Sequence, residues 1–237
     1  VDQLDMQTAG GKVNINGYFN GSDSKKIYFK STIKADNLDL DRVFYKMDNF
    51  GQDYLVSENV HGKITGIIQS KVLMHPDLVI NLRDTEAHIE ATIKDGRLTN
   101  FPPFKMMDKF MGDKDLENVR FGELKNTLDV KSGNISIPKM EISSTLGYMM
   151  ISGTQNFDKD LAMKYTLEVP SFIIKDAMWN YLFKRKKKPS RNDIEEVAEG
   201  SVISSEDKKS KRSAVVDIFG NPDKFDFDFQ GFKKNKN

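Results

Sequence analysis

The chain has 237 residues, with 36 Lys and Arg against 35 Asp and Glu and no cysteine. A net charge of +1 argues against whole-molecule attraction to nucleic acid, and the missing thiols exclude disulfides, thiolate metal sites and cysteine nucleophiles. Apolar residues at 38% suffice for a core, charged residues at 30% leave much surface solvated, and no run approaches the roughly 18 apolar residues that span a bilayer. The chain opens Val1-Asp2-Gln3-Leu4, with no Met and no basic or apolar leader, so we expect a piece of a longer protein whose anchor lies upstream.

Period-two alternation dominates. It starts in Ile27–Ile33, and Asp39 or Asp41 then offers an N-cap for a short helix over about Asp41–Phe50, stopped by Gly51. Ala87–Lys94 alternates cleanly, Asp95-Gly96 signals a turn, and a second helix is expected over about Pro103–Met111 before Gly112. In that helix Phe104, Met107 and Met111 share a face, with Phe110 beside them. Leu124–Lys131 and Leu161–Val169 are further alternating strands, separated by turn signals at Ser132-Gly133-Asn134, Ser152-Gly153 and Asn156-Phe157-Asp158. A third helix is expected over about Ile173–Phe183.

From Lys184 the composition becomes charged and poor in large apolar residues, and one short strand, Phe225–Phe229, closes the pattern. Residues 171–237 hold 15 Lys and Arg against 11 Asp and Glu, so the excess positive charge sits in the tail. This divides the chain into a β domain over 1–183, a charged and disordered linker over 184–213, and a tail over 214–237. The fold class expected is mainly β: a curved antiparallel sheet, apolar on one face, with three short amphipathic helices.

An internal repeat supports an extended sheet. Thr32–Phe50 aligns without a gap on Thr92–Phe110 with eight identities in nineteen positions, from Thr32/Thr92, Ile33/Ile93 and Lys34/Lys94 to Phe50/Phe110. A repeated strand-and-helix unit extends a sheet by stacking and directs attention to surface and groove rather than to a compact catalytic centre.

Catalytic patterns are missing. His61, His75 and His88 have no partner at metal-ligand spacing, and there is no nucleophile elbow or phosphate loop. Neither an enzyme nor a cofactor or metal is expected. The inward positions of the alternating strands, Ile89, Ala91, Ile93, Leu128, Val130, Met163, Tyr165 and Leu167, are instead candidates to line a lipid path. Phe104, Met107, Phe110 and Met111 either pack as core or plug that path, because methionine adapts to variable acyl chains. The run Lys184, Arg185, Lys186, Lys187 and Lys188, next to Trp179, Tyr181 and Phe183, is a solvated linker or a contact for an anionic surface.

The block Gly62–Pro170 resembles the C-terminal region of the AsmA family. The resemblance is carried by Ile93-Lys94-Asp95-Gly96-Arg97-Leu98, Val119–Leu124, Val130–Ile137 and Ile151–Phe157, with Ala35–Phe44 similar to the preceding unit. It implies a long folded-over β-sheet with an apolar groove, in the periplasm of a diderm bacterium and tethered to the inner membrane by a segment outside this chain. It also implies a phospholipid or other acyl-chain lipid as ligand, envelope proteins as partners, and a role in phospholipid movement and outer-membrane homeostasis. The alternative is a non-enzymatic scaffold in envelope assembly, its apolar face filled by its own side chains.

Overall fold

The computed structural model describes residues 3–23, 26–51, 55–75, 77, 79–101, 115–157, 161–170, 212–221 and 224–234. Strand makes up 78% of them, in one large curved antiparallel sheet. In chain order the elements are β1 (Leu4–Thr8), β2 (Gly11–Asp23), β3 (Lys26–Asp39), α1 (Leu40–Lys46), β4 (Val60–Met74), β5 (Ile80–Thr99), β6 (Asn118–Arg120), β7 (Leu124–Lys131), β8 (Asn134–Ser144), β9 (Gly147–Asn156), β10 (Met163–Pro170), β11 (Arg212–Asn221) and β12 (Lys224–Lys234). The order across the sheet is β1-β2-β3-β4-β5-β7-β8-β9-β10-β11-β12, and β6 pairs with the end of β5.

Several expectations are corrected. Among the described residues there is one α-helix rather than three. The helices expected over 103–111 and 173–183 lie outside the described residues. The first helix is shorter than its apolar spacing implies, since α1 ends at Lys46 and a tight turn over Asp48–Gly51 carries Asn49 and Phe50 at positive φ. Asp39 is at the N-cap, but its carboxylate makes no cap hydrogen bond; it pairs with Lys63 and Arg42. The hydrogen bond from Lys63 is the main cause that holds the Asp39 carboxyl below its ordinary range.

The tail is not one short strand. Arg212–Asn221 and Lys224–Lys234 form a hairpin of ten- and eleven-residue strands that continues the sheet from β10. The expected linker therefore ends earlier, since Arg212 and Ser213 already belong to β11, and its remainder over 184–211 lies outside the described residues.

Two expected turns fall inside strands. Asp95-Gly96 is part of β5, where the register slips against β4 between Lys94 and Arg97. Ser152-Gly153 is inside β9, where a Cβ on Gly153 would lie 2.2 Å from the Lys164 carbonyl oxygen. Glycine in these strands marks a bulge or a close backbone approach, not a reversal. Both strands bulge against β4 near the same end, but not at equivalent repeat positions: β3 carries an extra residue between Ala35 and Leu38, with Asn37 at φ 54°, and β5 carries one between Lys94 and Arg97, with Asp95, the equivalent of Ala35, at φ 53°. Phe104, the repeat equivalent of Phe44, is outside the described residues.

The dry core is at one end of the sheet. Leu116, Val119, Leu146, Met149, Val169, Ala214 and Val216 form a buried cluster, flanked by Phe121, Ile142, Leu167, Phe227 and Phe229. The turn between β8 and β9 inserts Leu146, which is 1% exposed, while Ser144 Oγ donates to the Gly147 carbonyl and accepts from the Leu146 N–H. Those bonds satisfy the polar groups that a buried turn would otherwise strand.

Candidate functional site

Strand register determines which residues share a face, because paired residues point the same way and the side-chain period is two. Leu4, Ile15, Ile33, Ile68, Ile89 and Leu128 pair in succession across β1, β2, β3, β4, β5 and β7. This makes one unbroken apolar ladder across six strands, about 24 Å at the usual inter-strand spacing. On the same face, a row of small side chains lies beside it: Val13, Ala35, Gly66, Ala91 and Asn126. On the other side of the ladder, the row Ser31, Ser70, Ala87, Val130, Ile135, Gln155 and Met163 continues as far as β10.

All eight candidate lining residues are on this face. Ile89, Ala91 and Ile93 of β5 adjoin Leu128 and Val130 of β7. Met163, Tyr165 and Leu167 of β10 join them through the row that links Val130, Ile135 and Gln155. Each is half-buried. Their environments differ, however: Leu167 packs against the dry cluster, whereas Ile89 belongs to the ladder. Tyr165 donates its hydroxyl proton to Gln155 Oε1 at 2.7 Å, which fixes one polar pair within the face.

The sequence reading did not single out Ile15, Ile33 or Ile68 as lining residues. Ile33 was visible in its own alternation, but Ile68 follows Ile67, and two adjacent isoleucines hide which one turns inward. Register decides: Ile68 pairs with Ile89 and is half-buried, and Ile67 pairs with Glu90 and is exposed.

The opposite face is wet. Glu90, Lys131 and Lys164 are exposed there. Its charges mostly neutralise one another across strands, with Lys131 3.7 Å from Glu86, Lys94 3.7 Å from Glu123, and Lys139 and Lys233 each 3.3 Å from Glu168. Lys71 lies over the Tyr28 ring at 4.5 Å. A shallow trough of about 860 Å³ runs over this face between the side chains of Lys30, Lys71, Glu86, His88, Asp129 and Lys131.

His88 sits between two carboxylates. Its Nδ1 lies 2.7 Å from Asp129 Oδ1 and its Nε2 3.7 Å from Glu90 Oε1. The Asp129 hydrogen bond, aided by both carboxylates, raises its pKa above the ordinary 6.5. A raised histidine contributes stability that is complete below the ordinary value and is lost as pH rises through the folded pKa. An NMR titration of His88 should therefore show a midpoint above 6.5 that falls in Asp129→Asn; an unchanged midpoint in the variant would mean the pair does not persist in solution. His61 Nε2 is within 3.1 Å of Thr99 Oγ1.

Among the described residues, no group of three or more His, Asp or Glu could hold a metal ion, and no helix is long and apolar enough to cross a membrane. Phe104, Met107, Phe110, Met111 and the basic run Lys184, Arg185, Lys186, Lys187 and Lys188 lie outside the described residues. Comparison with protein-family models, with characterised proteins and with solved structures returns no match.

Proposed function

We propose that the apolar face is a groove that binds and conducts acyl-chain lipid. The observation that carries this reading is the ladder Leu4–Ile15–Ile33–Ile68–Ile89–Leu128, apolar at every strand yet left half-exposed along its course. Complete burial of one such side chain is worth roughly 1.5–3 kcal/mol, and a sheet with an apolar face must cover it with helices, another sheet or a ligand. Among the described residues the one α-helix buries only Leu40, so it gives the ladder little cover. In this reading lipid covers the apolar face, while the trough over Lys30, Lys71, His88 and Asp129 belongs to the wet face.

The path in this reading runs across the strands, from row to row, not along a single strand. Ala35 and Ala91 are small side chains beside the isoleucines, while at Gly66 the backbone of β5 closes in, and in this reading an extended chain lies alongside the ladder. The dry cluster at the other end of the strands fills itself and acts as the structural base. This part alone fits the scaffold alternative. In the functional setting proposed, the chain belongs to an envelope protein tethered to an inner membrane. There it moves phospholipid through the periplasm and supports the outer membrane without enzymatic chemistry.

The test is direct. Fluorescent phosphatidylglycerol offered in phosphatidylethanolamine vesicles should transfer to the purified chain, and Ile68→Glu should abolish transfer while the protein stays folded. Equal transfer to the variant would remove the ladder from the path.

A further inference from the structure

The sheet contains a seam. β7 pairs with β5 along Leu124–Val130, and β8 pairs with β9 along nearly its whole length, yet β7 and β8 pair with each other only over Asp129–Lys131 and Asn134–Ser136. Beyond that point the ladder stops. It is closed again at the far end, where Gly122 N–H donates to the Ser143 carbonyl at 2.8 Å, Thr145 N–H donates to the Arg120 carbonyl at 3.0 Å and Phe121 bridges Ser144. Between the two closures, Leu124–Leu128 and Ile137–Ile142 form no ladder. This leaves an eyelet of about five residues, on the order of 17 Å along the strand.

Local chemistry keeps the eyelet unzipped. Pro138 has no N–H to give, and the register of β8 slips between Ile137 and Met140, so the pairing that starts at Ser136 cannot be carried forward. Asn126, at its edge, has a buried Nδ2 with no hydrogen-bond partner, an unfavourable arrangement in a packed protein. Leu124 and Leu128 on one side and Ile137 and Met140 on the other give the seam an apolar inner lip. Lys125 is on its wet side, exposed and in no ion pair among the described residues.

We propose that this seam is a lateral portal to the groove, through which the acyl chains of an anionic phospholipid pass while the phosphate stays on the wet face against Lys125. The proposal rests on the groove reading. A sheet whose ladder is interrupted between two closures opens there at the lowest cost, because parting the strands breaks no ladder hydrogen bonds. The unpaired Asn126 amide gains an acceptor when an ester carbonyl or phosphate oxygen lies in the seam.

The chain has no cysteine, so a pair introduced across the seam, Thr127→Cys with Lys139→Cys, can be bridged selectively by a short bis-maleimide. A second pair, Thr154→Cys with Lys164→Cys, bridges the fully laddered β9 and β10 as a control. Circular dichroism establishes that each bridged protein keeps its sheet. Uptake of fluorescent phosphatidylglycerol from phosphatidylethanolamine vesicles should be lost on bridging the seam and retained on bridging the control. Undiminished uptake by the seam-bridged protein would overturn the portal and leave the groove standing. No uptake by the unbridged protein would overturn the groove and the portal with it. Hydrogen exchange gives a second readout: slow exchange throughout Leu124–Leu128, equal to that of β9, would show a closed sheet and likewise overturn the portal.

Discussion

Ending the chain after residue 211, which removes β11 and β12, should abolish the cooperative thermal transition of the protein. Ala214 at 0% and Val216 at 2% exposure are among its most buried side chains, and Phe227 and Phe229 pack against the same cluster. Val216 and Phe229 lie opposite each other, and Val216 is also paired with Leu167, so losing the hairpin uncovers the cluster and strips β10 of one partner. Full burial of each large apolar side chain is worth roughly 1.5–3 kcal/mol. The combined loss is on the order of 5 kcal/mol, comparable to the whole stability of a typical domain. Far-ultraviolet circular dichroism against temperature is the check. A truncated protein that melts within a few degrees of the full chain would show the hairpin to be an appendage, as its composition alone suggests.

The second large effect is a contrast between two charges on the same face. Leu167→Glu places a carboxylate on a half-buried position packed against the dry cluster, where its nearest neighbours are apolar. It should cost on the order of 4 kcal/mol or more and leave the protein largely unfolded. Ile89→Glu introduces the same charge into a half-exposed ladder, where the carboxylate can reach water, and should cost about 1 kcal/mol. Denaturant titration of both variants separates the two environments. Equal destabilisation would mean the ladder is as dry as the cluster, which is the scaffold reading.

Much of the sheet was legible because alternation is a local signal. Leu124–Lys131 coincides with β7, Leu161–Val169 starts two residues before β10, and Phe225–Phe229 is within β12. The failures share a cause, which is that the deciding partner is remote in sequence. Ala214-Val215-Val216 does not alternate, since Val216 faces the cluster and Val215 the other side, and only pairing with β10 and β12 reveals a strand. β2 carries Asn, Gly and Ser among its apolar residues, which weakens its alternation until pairing with β3 fixes it as a strand. Asp95-Gly96 and Ser152-Gly153 have turn chemistry, but their neighbours hold them in bulged or closely packed strands.

The candidate site was half legible for the same reason. Alternation put Ile89, Ala91 and Ile93 on one face of their strand, but it could not show that Ile15, Ile33 and Ile68 continue the ladder on strands whose register is set by pairing. The difference between Leu167 and Ile89 was also invisible, because it depends on a hairpin some fifty residues further along the chain. The seam was out of reach altogether. It is an absence of pairing between two strands that each alternate or pair well with another neighbour.

Native mass spectrometry of the purified full chain, followed by organic extraction of whatever travels with it, tests the groove most directly. The account predicts a wild-type protein carrying extractable phospholipid and an Ile68→Glu protein that is equally folded and empty. A wild type that flies free of lipid, together with an Ile68→Glu variant that unfolds, would contradict it and leave a sheet whose apolar face is filled by its own side chains.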